Sequence, residues 1–270
     1  MFRDVLGFHA RLDGQSAAVL SAAEGMPPLV VLLAQPGLRP RPSGTTGLFH
    51  VAIRLPDRPS LARLALRLLH YGYPLHGAAH HGVSEALYLA DPDGNGIELY
   101  RDLPRTLWRE ADGTLEMTTD ALDLQELLRE AGARNGDPAP LDARTDIGHV
   151  HLSVSSLERS EAFYAGLLGL QVRQRTYPGA LFLAADGYHH HIGLNVWSGV
   201  GAPRPPANSA GLESFTFQCS TGDEWEHLRT RLADAGLLTS GRLPVPDDSP
   251  VTVADPDGIL VRLESSVHSS

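Results

Sequence analysis

Hydrophobic and polar positions alternate with period two over several short stretches, and these are followed by stretches of helical period. "LFHVAIRL" from Leu48 alternates strictly, and after a turn "SLARLALRLL" from Ser60 places Leu and Ala at helical spacing. The same order returns further on. "GLFHVAIRLPDRPSLARLALRLLHYGYP" from Gly47 is echoed by "GLESFTFQCSTGDEWEHLRTRLADAGLL" from Gly211, an offset of 211 − 47 = 164. Both copies reach an Asp-Pro-Asp-Gly turn, at Asp91 and Asp255, and 255 − 91 is again 164. A shorter pair, "FRDVLGF" from Phe2 and "YAGLLGL" from Tyr164, sets Gly7 against Gly169 at an offset of 162. Repeats in register at this period predict one supersecondary unit used several times.

Each unit reads as strand, helix, then about three strands. The prediction is an α+β protein of tandem βαβββ modules forming two cupped mixed β-sheets flanked by helices. The modules fall at 1–40, 45–101, 145–198 and 211–266, with a linker at 102–144 that holds a short helix, "DLQELLREAG". The opening strand "IGHVHLSV" of the third module lies about 20 residues before Gly169, whereas six residues precede Gly7, so the first module is expected to lack its first strand.

Alternation also sorts the strand faces. Phe49, Val51 and Ile53 are expected under the helix, with His50 and Arg54 on the other face. In "GHVHLSV", Val150, Leu152 and Val154 face one way, and His149, His151 and Ser153 the other; His50 aligns with His149. After the Asp91 turn, "GIELY" brings Glu98 onto the face of His50. Two imidazoles and a carboxylate suit a divalent transition metal and leave coordination positions open, which is the pattern of a catalytic site. The plainer alternative is a set of polar side chains on a solvated sheet face. The fourth module supplies an internal control, because 164 residues on from His50 and Glu98 stand Ser214 and Arg262.

Composition narrows the chemistry. With 22 Lys+Arg against 32 Asp+Glu the net charge is −10, and no basic stripe is available to neutralise a phosphate backbone, so nucleic acid is not an expected partner. Cys219 is the single cysteine, which rules out an internal disulfide. No apolar run reaches a membrane span and the N-terminus lacks the order of a signal peptide, so a cytoplasmic protein without membrane partners is expected. Homo-oligomers are compatible with this pattern.

The stretch His81, five residues, Leu87-Tyr88, two residues, Asp91-Pro92, then Gly94 and Glu98 resembles the signature of the extradiol ring-cleaving dioxygenases. The chain as a whole resembles the vicinal oxygen chelate (glyoxalase/bleomycin resistance/extradiol dioxygenase) superfamily, and in particular four-module bacterial catechol-2,3-dioxygenase-like proteins. The resemblance implies that Glu98 is an iron ligand and that His81 and Tyr88 contact substrate oxygens. "GHVHLSV" resembles the strand of the family's first iron-ligand His, at His149, and "YHHHIGL" that of its acid/base His, at His190 with His191 next. It implies Fe(II), or Mn(II), held by His50, Glu98 and His149, a small aromatic diol and O2 as partners, and cleavage beside the diol.

The order of the two half-sites is reversed relative to the commonest extradiol architecture. It implies that the second and third modules pair; were the first and second to pair instead, the metal would keep two ligands from this chain. Strand alternation sets His190 with Ile192 and Leu194, away from His189 and His191, so a distortion at the strand edge is expected if His190 acts. Two other readings stay open. One is a glyoxalase-like metal-dependent isomerase or lyase, which commonly wants a fourth ligand; the other is a small-molecule-binding module with a vestigial metal site.

Overall fold

A computed structural model of the chain describes residues 1–111, 114–131, 140–219, 221–240, 243–244 and 249–265. The chain forms two compact units. The first comprises Met1–Pro40, Leu48–His151 and Asn208–Ala210; the second comprises Arg41–Gly47, Leu152–Ala207 and Gly211–Ser270.

The first unit opens with a π-helical turn, Phe2–Leu6, and a three-stranded antiparallel sheet of β1 (His9–Asp13), β2 (Ala17–Ser21) and β3 (Pro28–Leu33) in that order. The second module then runs β4 (Gly47–Arg54), α1 (Arg58–His70), β5 (Gly77–His80), β6 (Ser84–Ala90) and β7 (Gly96–Asp102). Its strands lie in the order β5-β6-β7-β4, with β4 and β7 parallel and the rest antiparallel. The strand Asp146–Ser153 lies next to β4 on its other side.

Helix α1 starts where Asp57 accepts from the amide of Ser60, an N-cap followed by Pro59 early in the first turn. Its apolar stripe, Leu61, Leu64, Ala65 and Leu68, packs on Ile53, Leu87, Leu89, Ile97 and Leu99, the helix-facing side of the sheet. Each fully buried Leu contributes roughly 2 kcal/mol of transfer free energy, so this layer fixes which sheet face is left for polar groups. Two details depart from the expected pattern. Arg67 is buried and donates to the Asp4 carbonyl, and Phe49 is 42% exposed, its ring against His50 and His151 instead of under the helix.

In the linker, Leu124–Arg129 is the expected short helix, capped by Asp123, and its Leu127 joins the same core. The second unit carries the antiparallel strands Gln171–Gln174, Ala180–Ala184 and Ile192–Asn195. It also carries the fourth module, where Ser214–Cys219 and Leu260–Ser265 pair in parallel, Val251–Ala254 joins the latter, and helix Gly222–Asp234 follows a capping box from Thr221 to Glu224.

The repeats are visible bond by bond. Gly7 N–H donates to Arg3 O and Phe8 N–H to Phe2 O; 162 residues on, Gly169 donates to Ala165 O and Leu170 to Tyr164 O. The π-turn Phe2–Leu6 thus ends at Gly7 and its counterpart, Ala162–Leu167, is followed after Leu168 by Gly169, both glycines being left-handed with φ of 91° and 86°.

Candidate metal centre

Three neighbouring strands of the first unit each contribute one buried side chain: His50 from β4, Glu98 from β7 and His149 from Asp146–Ser153. The ladder explains why they converge. Ala52 faces Glu98 across the parallel pair, so His50, two residues earlier, shares the face of Glu98. His50 Nε2 lies 2.9 Å from Glu98 Oε2, His149 Nε2 lies 3.1 Å from the same oxygen, and the two Nε2 atoms are 3.4 Å apart.

These separations can be tested against an ion. Donors that each sit about 2.1 Å from a shared centre at right angles are about 3.0 Å from one another. The three observed distances cluster around that value, and two imidazoles with one carboxylate on one face form a donor set that transition metals accept. The residues therefore fit a divalent metal.

Electrostatics agree with this use of the carboxylate. Burial alone would raise the Glu98 carboxyl, but the adjoining His149 and His50 outweigh it and hold the group well below the usual carboxylate range. A second imidazole lies beside the triad. His151 is buried with its ring 4.9 Å from that of His50, and burial followed by the neighbouring His50 and His149 pushes it well below the usual histidine range. The alternation of "GHVHLSV" places His151 on this face, but the spacing does not assign it a task.

The strands are stapled beside the site. Arg54 of β4 grips Asp146 bidentately at 2.6 and 2.9 Å and reaches Asp102 of β7 at 3.3 Å, so one guanidinium bridges the three strands that carry the donors. Small residues bring the chains close. An added Cβ on Gly96 would collide with the Phe49 carbonyl, and one on Gly148 would collide with the Tyr100 hydroxyl. Tyr100 is fully buried against Ala52 and Ala86, and its ring lies 5.0 Å from His149.

Tyr88 faces Glu98 in the β6–β7 ladder, and its ring lies 5.7 Å from His50. Its hydroxyl is 2.7 Å from His81 Nε2. The sequence-derived pair thus sits in the same unit as the three donors, Tyr88 on the strand that flanks Glu98 and His81 in the turn that leads into it.

His190 belongs to the second unit, where it is buried with its ring 4.9 Å from Phe182 and its Nδ1 2.7 Å from His189 Nδ1. The strand does not begin until Ile192, so the triple His occupies the preceding turn, and the alternation argument for these residues does not apply. His191 accepts the Ala185 amide at 3.1 Å and stacks on Tyr188, which gives it a structural task.

The Glyoxalase/Bleomycin resistance protein/Dioxygenase superfamily model matches residues 1–99 and 146–263. A Catechol-2,3-dioxygenase of Bacillus subtilis (strain 168) is 44% identical over 237 residues, covering 86% of this chain and 81% of that protein. A Biphenyl-2,3-diol 1,2-dioxygenase 3 of Rhodococcus globerulus is 36% identical over 101 residues, 37% of this chain and 53% of its own length. Among solved structures, a putative dioxygenase from Bacillus subtilis superposes with a TM-score of 0.61 at 14% identity, over 99% of this chain and 80% of that one. Glyoxalase I from Zea mays gives 0.51 at 19% identity, over 98% and 85%, a likeness of fold. With a family match over most of its length and a buried His-Glu-His group on three neighbouring strands, the chain belongs to the glyoxalase/bleomycin resistance protein/dioxygenase superfamily.

Proposed function

We propose that the protein is an extradiol ring-cleaving dioxygenase of the catechol-2,3-dioxygenase type, with Fe(II) held by His50, Glu98 and His149. The observation that carries this reading is the triad itself, three buried donor atoms mutually 2.9 to 3.4 Å apart. The 44% identity to a protein named catechol-2,3-dioxygenase supports the substrate class. When bound, the ion supplies the redox-active centre at which the two oxygens of a catechol and O2 are brought together.

The chain's own residues do the rest. Two imidazoles and one carboxylate make up the donor set, and the neighbouring His149 and His50 hold the Glu98 carboxyl well below the usual carboxylate range in spite of its burial. Tyr88 and His81 stand beside Glu98 as hydrogen-bonding partners for substrate oxygens, the kind of fixed polar group that is worth ~3 kcal/mol in a dry site. His190 takes the acid/base role, an assignment that comes from the family likeness, while His191 holds the Ala185 amide and stacks on Tyr188. Ring cleavage beside the diol yields a muconic-semialdehyde-type product. A glyoxalase-like isomerase commonly needs a fourth protein ligand, and the group found among the described residues has three.

The test is an aerobic assay with catechol and added Fe(II), followed by the yellow ring-cleavage product. His149→Ala should lose iron uptake by ~10²-fold or more, and with it the colour. Full retention of iron and activity in that variant overturns the triad; iron-loaded wild type that never yields product from catechols overturns the reaction class.

A further inference from the structure

The linker does more than connect modules. Where it leaves the second module it crosses back over the β5–β6 hairpin as a strap. Asp120 and Ala121 pair with His80 and Ala79, and just before them Thr118 N–H donates to His81 O at 3.0 Å. In return His81 Nδ1 lies 2.7 Å from Thr118 O. Gly82, with φ of 76°, permits this approach, since a Cβ there would come within 3.3 Å of the Glu116 carbonyl.

The chemistry of the Thr118 carbonyl decides where the His81 proton resides. A carbonyl oxygen accepts and cannot donate, so Nδ1 carries the hydrogen. In the neutral ring Nε2 is then an acceptor, and the group 2.7 Å away is the Tyr88 hydroxyl. Tyr88 therefore donates to His81 and presents oxygen lone pairs to any further donor.

We propose that this strap is a tautomer lock, with Thr118 as a positioning residue that makes Tyr88 and His81 a proton-accepting pair for one hydroxyl of the substrate. The proposal rests on the catechol reading above. In the step it describes, the substrate O–H bond breaks and its proton passes to Tyr88 Oη while the proton of Tyr88 passes to His81 Nε2. The substrate gains one negative charge, His81 one positive charge, and no electrons change hands. Tyr88 again holds a hydroxyl hydrogen, now directed to the oxyanion, and His81 donates from both nitrogens, to Thr118 O and to Tyr88 Oη.

The lock is read without metal or substrate. The metal-free full-length chain, labelled with ¹⁵N-histidine, is examined by NMR at a pH about two units above the ordinary histidine value, the His81 signal being assigned by its loss in His81→Gln. The expected spectrum shows Nδ1 protonated and Nε2 bare, the reverse of the tautomer preferred by an unrestrained imidazole. Thr118→Ala leaves both main-chain bonds in place and should not change it, whereas Thr118→Pro removes the amide donor and should shift the ring toward the Nε2–H form. A wild-type ring in the Nε2–H form, or in a solution-like mixture, overturns the lock. Catechol turnover then tests the relay: His81→Gln and Tyr88→Phe should each lower kcat by ~10²-fold, and the double variant should be no slower than the slower single. Additive losses overturn the relay, while an intact lock in a protein inert toward catechols overturns only the substrate reading.

Discussion

In the second module Val51 faces Ile97 across a parallel pair of strands; 164 residues on, Phe215 faces Val261 in the same pairing. The turns agree atom for atom. Asp91 Oδ1 accepts from the amides of Asp93 and Asn95, and Asp255 Oδ1 accepts from those of Asp257 and Ile259. Gly94 and Gly258 close the two turns with φ of 85° and 84°. What differs is the chemistry on the frame: Ala52 faces Glu98 in one, and Thr216 faces Arg262 in the other, where the arginine lies exposed beside Glu264. The module's architecture therefore does not create the site. Two side-chain positions do, on strands whose register would serve either outcome.

The largest effect expected from this comparison comes from exchanging those positions. Glu98→Arg would bury a guanidinium against His50 and His149 without its counter-charge and should cost 3–5 kcal/mol or prevent folding, by the usual magnitude of about 3–5 kcal/mol for an uncompensated buried charge. Arg262→Glu in the exposed counterpart should change the denaturant midpoint by no more than about 0.5 kcal/mol. Equal losses in the two would contradict the contrast between a buried Glu98 and an exposed Arg262.

A smaller contrast is expected at the turns. Asp255 is buried and also accepts from the Tyr164 hydroxyl at 3.0 Å, so Asp255→Ala should cost about 2–4 kcal/mol, since three donors lose their acceptor. Asp91 also has a third donor, Asn95 Nδ2 at 2.9 Å, but it is only half-buried, so water can replace the lost acceptor and Asp91→Ala should cost about 1–2 kcal/mol in the same chemical denaturation.

The carboxylates of the two modules should also respond to acid in opposite directions in the metal-free protein. Glu98 is depressed in the folded state, so its stabilisation is present above the unfolded carboxylate value and is lost as pH falls through the lower folded value. Asp255 is raised, chiefly by burial, so its contribution is most favourable below the unfolded value and declines as pH climbs through the higher folded one. Thermal melts of Glu98→Gln and Asp255→Asn against pH would separate the two slopes; slopes of the same sign would contradict these environments.

The smallest expected change is at the staple. Arg54 is about one-third exposed, and Arg54→Ala should cost ~1 kcal/mol, less at high salt. Its informative readout is metal affinity, because it joins the three donor strands.

Much of the site was legible because period-two alternation and the 164-residue offset are geometric statements about the backbone. They put His50, Glu98 and His149 on one face, and the helix, the turns and the linker helix follow from equally local signals. Other residues were opaque for identifiable reasons. His189, His190 and His191 precede the strand, so alternation could not orient them. Phe49 obeys the pattern in name, but lies near the start of β4, where α1 does not cover it, and so it turns to the His50 and His151 rings. Thr118 acts through its main chain, for which no side-chain pattern exists.

Gly148 carries a consequence for how faithfully the site assembles. The Tyr100 hydroxyl occupies the space that a side chain at 148 would need, and every residue within two positions, Asp146, Ile147, His149 and Val150, has a Cβ. A strand that docked one or two residues out of step would set one of these against the phenol and be rejected by sheer volume. The glycine thus works as a notch for a key: only the alignment that brings His149 to Glu98 lets the sheet close. Gly148→Ala should let misaligned and aligned pairings compete, and trimming the key with Tyr100→Phe should restore part of the discrimination.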